Sequence, residues 1–343
     1  MKREAYLMLT EFCPNRCDYC YIKAKDSRAA MSMATVDAIM AEHKPWRVVF
    51  FGGEPLVELD LMEEILAKYH GRCRFQLVTS AMVNYERFIS KVHRRYPLDE
   101  IQVSWDGVGN ASRLSADGVN RQDEVYRKIL WTAAQGVGID VKCVLNNLNI
   151  YSMYDTYREF RRLESLGIRG EFVVAHREEI SEDFFREFER QLPLCLDPAG
   201  RISVEFLNRI LNVIQRSRTV ASCDAGQYLV FRPDGGLSHC TILSQYYPRA
   251  FSAGELVAPC THPDCAACEL AILCDGGCRY ERVAVYGEGW RENYCPHTCR
   301  LNRIYHRVIR GWQDGMPPAV RLGFNQTLLR YLDFMKTYKG MGL

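Results

Sequence analysis

Short apolar, β-branched runs punctuate the first half of the chain: AYLML (5–9), RVVFF (47–51), RFQLVTS (74–80), IQVSW (101–105), DVKCVL (140–145) and GEFVVAH (170–176). Each has the length and residue types of a strand. Between them, apolar positions recur at the spacing of one helical face, in MATVDAIMAEHK, LDLMEEILAKYH, YERFISKVHRRY, DEVYRKILWTAAQG and MYDTYREFRRLESLG. The last two stretches end at Gly136 and Gly167, which read as carboxyl-terminal helix stops. Strands that alternate with helices predict βαβ units and a parallel sheet. Six of them predict an α/β fold on a partial (β/α)6 barrel of the TIM type, short of the eight strands of the usual closed form.

Two further helical stretches follow, SEDFFREFERQL and VEFLNRILNVIQRS. They fit a last barrel helix and a bridge. Near Cys223 the pattern changes: helical periodicity fades while cysteine, glycine, proline and histidine rise. We therefore divide the chain into a barrel with its bridge (1–218), a small cysteine-rich domain (219–310) and a helical tail (311–343). Inside the second part, QYLVFRPDGGLSHC reads as a β-hairpin, two apolar strands about a Pro-Asp-Gly-Gly turn. RLNRIYHRVIRGW and FNQTLLRYLDFMKTY have the spacing of helices that pack on the rest.

Composition narrows the class. The 343 residues are 48% hydrophobic and 25% charged, as expected of a globular protein with a large core. The formal charge is only +2, and the two signs are interspersed. Neither nucleic acid nor an anionic membrane is expected as the main partner. No apolar run is long enough for a transmembrane helix, and MKREAYLMLTEF lacks the core of a signal peptide. The expectation is a cytoplasmic protein. Fifteen cysteines are the outlier. In a reducing compartment so many thiols point to metal rather than disulfides. Cys73, Cys143 and Cys195 stand apart and are expected to be small buried apolar residues.

Cys13, Cys17 and Cys20 fall directly after the first strand, in CPNRCDYCY. At i, i+4 and i+7 they would share a helical face, but Pro14-Asn15 disfavours a helix running in from Cys13. A loop wrapped around a metal centre fits better. Three thiolates could hold zinc with an open fourth position, or three irons of a [4Fe–4S] cube with one iron left free. The spacing C-x3-C-x2-C, the aromatic Tyr19 before the last cysteine, and Gly52-Gly53-Glu54-Pro55 after the second strand resemble the radical S-adenosylmethionine (SAM) superfamily. The resemblance implies that the free iron chelates the amino and carboxylate groups of SAM. One electron then cleaves the sulfonium and yields a 5′-deoxyadenosyl radical.

The same resemblance implies further SAM contacts at strand ends, where barrel enzymes keep their chemistry. Gly52 and Gly53 allow close backbone approach, and Glu54, followed by Pro55, would orient the SAM ammonium. Ser104 and Asp106, in VSWDG, occupy the end of the fourth strand. Thr79 and Ser80 end the third, where relatives often show Thr-Asn-Gly and this chain has Thr-Ser-Ala. Arg113, Arg121 and Lys142 are candidates to pair with the methionyl carboxylate.

The second group of cysteines resembles the SPASM extension of radical SAM enzymes. Cys223 and Cys240 flank Gly235, then Cys265-x2-Cys268-x5-Cys274-x3-Cys278 is followed by Cys295. By resemblance, Cys265, Cys268, Cys274 and Cys295 hold a distal auxiliary [4Fe–4S] cluster, with Cys299 able to replace Cys295. Cys223, Cys240 and Cys278 hold a nearer one, with Cys260 or an open position as fourth ligand. Zinc is the alternative for such spacings. Relatives with two auxiliary clusters mostly modify peptides, by crosslinking or other side-chain or backbone chemistry, and the expected substrate is therefore a peptide or protein. Formylglycine formation is disfavoured, because Thr241 stands where sulfatase maturases carry an aspartate. Oxidation of a sugar or cyclitol is the small-molecule alternative. A non-catalytic iron–sulfur carrier would have no use for a three-cysteine site beside GGEP. The first strand begins within five residues of the start, so leader recognition is expected to be absent, to come from a separate protein, or to be done by the barrel and tail helices. An electron donor such as flavodoxin or ferredoxin completes the expected partners.

Overall fold

The computed structural model describes residues 3–175, 180–195, 203–204, 226, 228–247, 251–268, 270–274 and 276–314. All six expected strands form: β1 (Glu4–Met8), β2 (Arg47–Phe51), β3 (Arg74–Thr79), β4 (Glu100–Ser104), β5 (Asp140–Leu145) and β6 (Arg169–Val174). Helices α1 (Met33–His43), α2 (Leu59–Tyr69), α3 (Tyr85–Arg87, continued by a π-helical stretch Phe88–His93), α4 (Gln122–Ala134), α5 (Met153–Glu164) and α6 (Glu182–Gln191) connect or follow them. The start signals are local. Ser32 accepts from the Thr35 amide and Ser181 from the Phe184 amide, each satisfying an orphan donor of its first turn. Gly136 and Gly167 take left-handed conformations, φ +73° and +78°, and end α4 and α5 as expected.

The strands lie in one sheet of order β7-β6-β5-β4-β3-β2-β1-β8-β9. Every neighbour is parallel except the β8–β9 pair. Three strands go beyond the expected six. β7 (Ser203–Val204) pairs with β6; Val204 was expected to begin the bridging helix, and instead its backbone extends the open edge of β6. The remainder of VEFLNRILNVIQRS, the stretch FNQTLLRYLDFMKTY, and Cys223 lie outside the described residues. β8 (Leu229–Phe231) and β9 (Leu237–Ser238) are the expected hairpin, with Gly235 at φ +85° in its turn. β8 also lies against β1, in the register Ala5↔Leu229 and Leu7↔Phe231. The hairpin therefore extends the barrel sheet rather than standing apart from it. Among the described residues β7 and β9 are the sheet's edges and do not pair with each other, so the barrel is open.

Side chains alternate across this sheet. On β1, β2 and β8 both faces are apolar. Ala5, Leu7, Val48, Phe50, Leu229 and Phe231 pack under the helices, while Met8, Val49, Phe51 and Val230 cluster inside the barrel. On β4 and β5 the outer face is apolar and the inner face mostly polar: Ile101, Val103, Val141 and Cys143 join the helix-covered core. Their inward neighbours Gln102, Ser104, Lys142 and Val144 line a cavity instead. Cys143 and Cys195 are buried in the core and Cys73 packs against it, matching the apolar role expected of all three.

Phe160 on α5 shows how tightly the outer layer closes. A Cβ on Gly170 of β6 would sit 2.3 Å from its ring, so that glycine admits the aromatic side chain. Phe160 is fully buried and meets Phe172 at a tilt, 5.0 Å between ring centroids. Phe160→Ala should cost about 3–5 kcal/mol, read as a lower midpoint in anaerobic chemical denaturation; a loss under about 1 kcal/mol would mean the layer repacks freely.

Candidate active site

The chain leaves β1 into a loop that carries Cys13, Cys17 and Cys20. Between Asn15 and the bridge at Ala30 the loop has no helix, and its shape is held by contacts on both sides. The Arg16 amide donates to the Leu114 carbonyl at 2.7 Å and the Asp18 amide to that of Ser112 at 3.1 Å. The Ala116 amide returns to the Pro14 carbonyl at 2.7 Å. The segment after β4 is thus zipped to the cysteine loop. On its other side the loop meets Gly52-Gly53. The Gly53 amide donates to Thr10 at 2.9 Å and the Glu54 amide to Phe12 at 2.8 Å. A Cβ on Gly53 would come within 2.2 Å of the Phe12 carbonyl oxygen. Gly52 adopts φ +133°, which only glycine takes readily. The two glycines are therefore needed first by the backbone that leads into Cys13.

All three cysteines line one cavity of about 290 Å³ at the carboxyl ends of the strands. Cys13 and Cys17 are buried and Cys20 is half-buried. Burial, then the charge of Glu54, pushes the Cys13 thiol up to about 12, and Cys17 and Cys20 add to the rise. Burial also raises Cys17, against the pull of Arg113. Three thiols crowded out of water favour a strongly electropositive centre that could hold them as thiolates.

Of the expected contacts, Tyr19, Gly52, Gly53, Thr79, Ser80, Ser104 and Arg113 line this cavity, as does Lys142. Glu54 does not line it. It is fully buried behind the third strand's end and accepts from Thr79 Oγ1 (2.7 Å), the Ser80 amide (2.8 Å), the Ser80 hydroxyl and the Leu56 amide (3.2 Å). Burial raises its carboxyl and these four donors pull it back. Glu54 thereby holds Thr79 and Ser80 in place, while buried Pro55 opens a 3-10 turn behind it. Ala81, which follows Thr79 and Ser80, takes φ +58°, a conformation costly for a residue with a Cβ.

Asp106 is also fully buried behind the lining. Tyr19 donates its hydroxyl to Asp106, Arg113 Nε reaches the same carboxylate oxygen at 3.0 Å, and Arg113 also donates to the Tyr19 hydroxyl. Burial opposes the Arg113 charge most, but Asp106, Cys17 and Tyr19 together outweigh it and keep the guanidinium charged. Arg121 is not part of this group: it pairs with exposed Asp117, four residues before it, at 2.7 Å. Lys142 pairs with Glu171 at 3.2 Å on the open side of the barrel.

A family model described as "Radical SAM superfamily" matches residues 7–163, the span that holds the cysteine loop, GGEP and the Asp106 group. Residues 7–163 are a radical SAM domain. Along its whole length the chain is similar to proteins named PqqA peptide cyclase. It is 24% identical to that of Gluconobacter oxydans (strain 621H), over 93% of this chain and 96% of the relative. It is 27% identical to that of Bradyrhizobium diazoefficiens, over 89% and 87%. Among solved structures it is similar in fold to anSMEcpe with bound AdoMet and Cp18Cys peptide (TM-score 0.69, 16% identity, covering 91% of this chain and 99% of that one). It is also similar to Streptococcus suis SuiB bound to precursor peptide SuiA (TM-score 0.63, 12% identity, covering 87% and 76%). The radical SAM family implies a [4Fe–4S] cluster and SAM, and three thiols around one cavity fit the first of these.

Beyond the radical SAM domain, the second cysteine region reaches back to the first. Tyr21, next to Cys20, hydrogen-bonds Thr241, next to Cys240, and feels the charge of both cysteines. Gln245 Nε2 donates to Glu11 at 3.1 Å. Cys240 and Cys278 share a small apolar cluster with Leu243, Tyr280 and Trp290. Cys265 hydrogen-bonds Cys260 and feels Cys274 and Cys299, and burial with those neighbours pushes it up to about 12. Cys299 in turn feels Cys268. Cys295 is turned elsewhere, donating to Glu281 and packing against Thr298. Among the described residues no three His, Cys, Asp or Glu side chains stand at the spacing of a single metal ion. A four-iron cube spreads its thiolates over separate corners, and a single-ion spacing is not what it requires.

Sequence reading did not single out Asn15, Tyr21 or Gln102 as lining residues. Strand alternation pointed to Gln102, two residues before Ser104; the two loop residues carry no such signal. A Gly53→Ala variant should force the Phe12 carbonyl away and lower iron loading of the first cysteine site, measured as SAM-responsive cluster signal per chain; wild-type loading would show that the close approach is not required.

Proposed function

We propose that this chain is a radical SAM enzyme that modifies a peptide. Cys13, Cys17 and Cys20 are the residues that hold the [4Fe–4S] cluster, leaving one iron for SAM. Bound there, the pair supplies one-electron cleavage chemistry and hydrogen abstraction from an unactivated carbon. The observation that carries the reading is the single cavity in which three cysteines, two close-packed glycines and a charged Arg113 meet, at the mouth of a barrel whose described strands leave it open.

The chain's own residues divide the work. Arg113, oriented by Asp106 and Tyr19, offers a fixed cation to the methionyl carboxylate. Ser80 and Thr79, fixed by Glu54, present polar groups at the third strand's end. Phe51, Ile22 and Val78 give the cavity an apolar wall that keeps water from a reactive carbon. Lys142 and Glu171, on the open flank, are placed to meet a polar peptide backbone. The names of the full-length relatives and the peptide-bound neighbours support a peptide substrate. Thr241 supplies no carboxylate base and is engaged with Tyr21, which sets formylglycine chemistry apart.

The second region is proposed to carry two auxiliary [4Fe–4S] clusters. The approach of Cys299 to Cys265 and Cys268 supports Cys299 rather than Cys295 in the distal set with Cys274. The contact with Cys265 supports reading Cys260 as a neighbour of that set as well. Cys240 and Cys278, with Cys223, are assigned to the nearer cluster. The division of the chain at 218 and 310 goes with this proposal, as do an outside electron donor such as flavodoxin or ferredoxin and a separate leader-binding protein.

Reduced, reconstituted protein incubated with SAM and a candidate precursor peptide should yield 5′-deoxyadenosine and a peptide lighter by two hydrogens in mass spectrometry. Changing Cys13, Cys17 and Cys20 together to alanine should abolish both while about eight irons remain. SAM cleavage retained in that variant would remove the site assignment, and a sugar losing two hydrogens in place of the peptide would replace the substrate.

A further inference from the structure

Asn15 stands between Cys13 and Cys17 in the loop that lines the cavity. Its side chain is buried, and its Nδ2 has no hydrogen-bond partner among the described residues. A buried amide donor left unmade costs on the order of 1–3 kcal/mol, and native proteins seldom leave one so. The backbone gives Asn15 no freedom to turn away. The Pro14 carbonyl and the Arg16 amide on either side are both bonded to the segment after β4, at 2.7 Å each, and Asn15 itself bridges Ser115. The Asn15 amide already donates to Cys13 Sγ at 3.4 Å. Asn15 thus lines the cavity, has its backbone donor on a sulfur, and keeps a buried side-chain donor with no partner among the described residues.

Other donors around the loop are used. Arg16 Nη1 is spent on the carbonyls of Cys13 and Asn15, and Lys25 Nζ on that of Cys17. Those contacts brace the backbone and do not enter the cavity. Asn15 Nδ2 is a donor of this loop that the described residues leave without an acceptor.

We propose that Asn15 Nδ2 donates a hydrogen bond to a sulfur of the cluster bound by Cys13, Cys17 and Cys20, and thereby raises that cluster's reduction potential. The inference rests on the cluster assignment above. Its physical basis is charge: reduction adds an electron spread over the sulfurs, and a donor aimed at one of them stabilises the reduced form more than the oxidised form. Asn15 is a positioning and tuning residue in this account. It does not touch the peptide.

The test is an anaerobic redox titration of the full chain, followed by electron paramagnetic resonance and restricted to the signal that changes when SAM is added. Asn15→Leu, close in shape but without the donor, should load iron as the wild type does. Its SAM-responsive signal should appear at a lower potential, with the SAM dissociation constant unchanged within twofold. Should Asn15→Leu fail to load iron, Asn15→Ala carries the same expectation, since it loses the donor and adds neither bulk nor charge. An unchanged potential overturns the proposal. So does a tenfold weaker SAM affinity at unchanged potential, which would put the amide on the methionyl carboxylate. A wild type with no SAM-responsive cluster would remove the underlying assignment instead.

Discussion

The contact on which this molecule turns is a backbone one: Gly53 pressed against the carbonyls of Glu11 and Phe12. It is possible only because position 53 has no side chain. It joins the end of β2 to the exit of β1, at the point where the chain departs to carry Cys13, Cys17 and Cys20. The far side of that loop is fastened to residues 112–116 after β4. A loop with little apolar mass of its own is thereby held from two strands at once. Its three thiols line one shared space.

The barrel divides the rest of the labour by face. Where β1, β2 and β8 line the interior, the inward residues are apolar and the space is filled. Where β4 and β5 line it, Gln102, Ser104 and Lys142 face inward and a cavity opens. The polar side of that cavity is supported from behind by two fully buried carboxylates. Glu54 collects the donors of Thr79 and Ser80, and Asp106 collects those of Tyr19 and Arg113. Neither reaches the lining itself. Each acts by fixing the residues that do, which is the usual way a reactive site keeps its geometry.

Much of this was legible in the residues. The apolar, β-branched runs at 47–51 and 140–145 announced strands, and Gly136 and Gly167 marked helix ends correctly. The C-x3-C-x2-C spacing located the site. What the pattern did not carry were the long-range consequences of packing. The hairpin at 229–238 was read correctly as a hairpin, but its pairing with β1 depends on an exposed edge that no local pattern announces. β7 is two residues long and was hidden inside a helical periodicity. Glu54 matched a motif whose resemblance implied a direct contact with SAM; its burial behind Thr79 and Ser80 follows from the path of the third strand, which the motif does not encode. Arg113 and Arg121 could not be ranked by sequence. Asp106 selects the first, while Asp117 occupies the second at the surface.

The account depends on three cysteines leaving one iron of a cube open to a ligand that is not a side chain. Electron–nuclear double resonance of the reduced protein with SAM labelled by ¹⁵N in its amino group and ¹⁷O in its carboxylate tests this directly. Hyperfine coupling to both labels at the cluster held by Cys13, Cys17 and Cys20 is the expected result. A reduced cluster with coupling to neither label, in protein that is otherwise folded and fully loaded with iron, would contradict it.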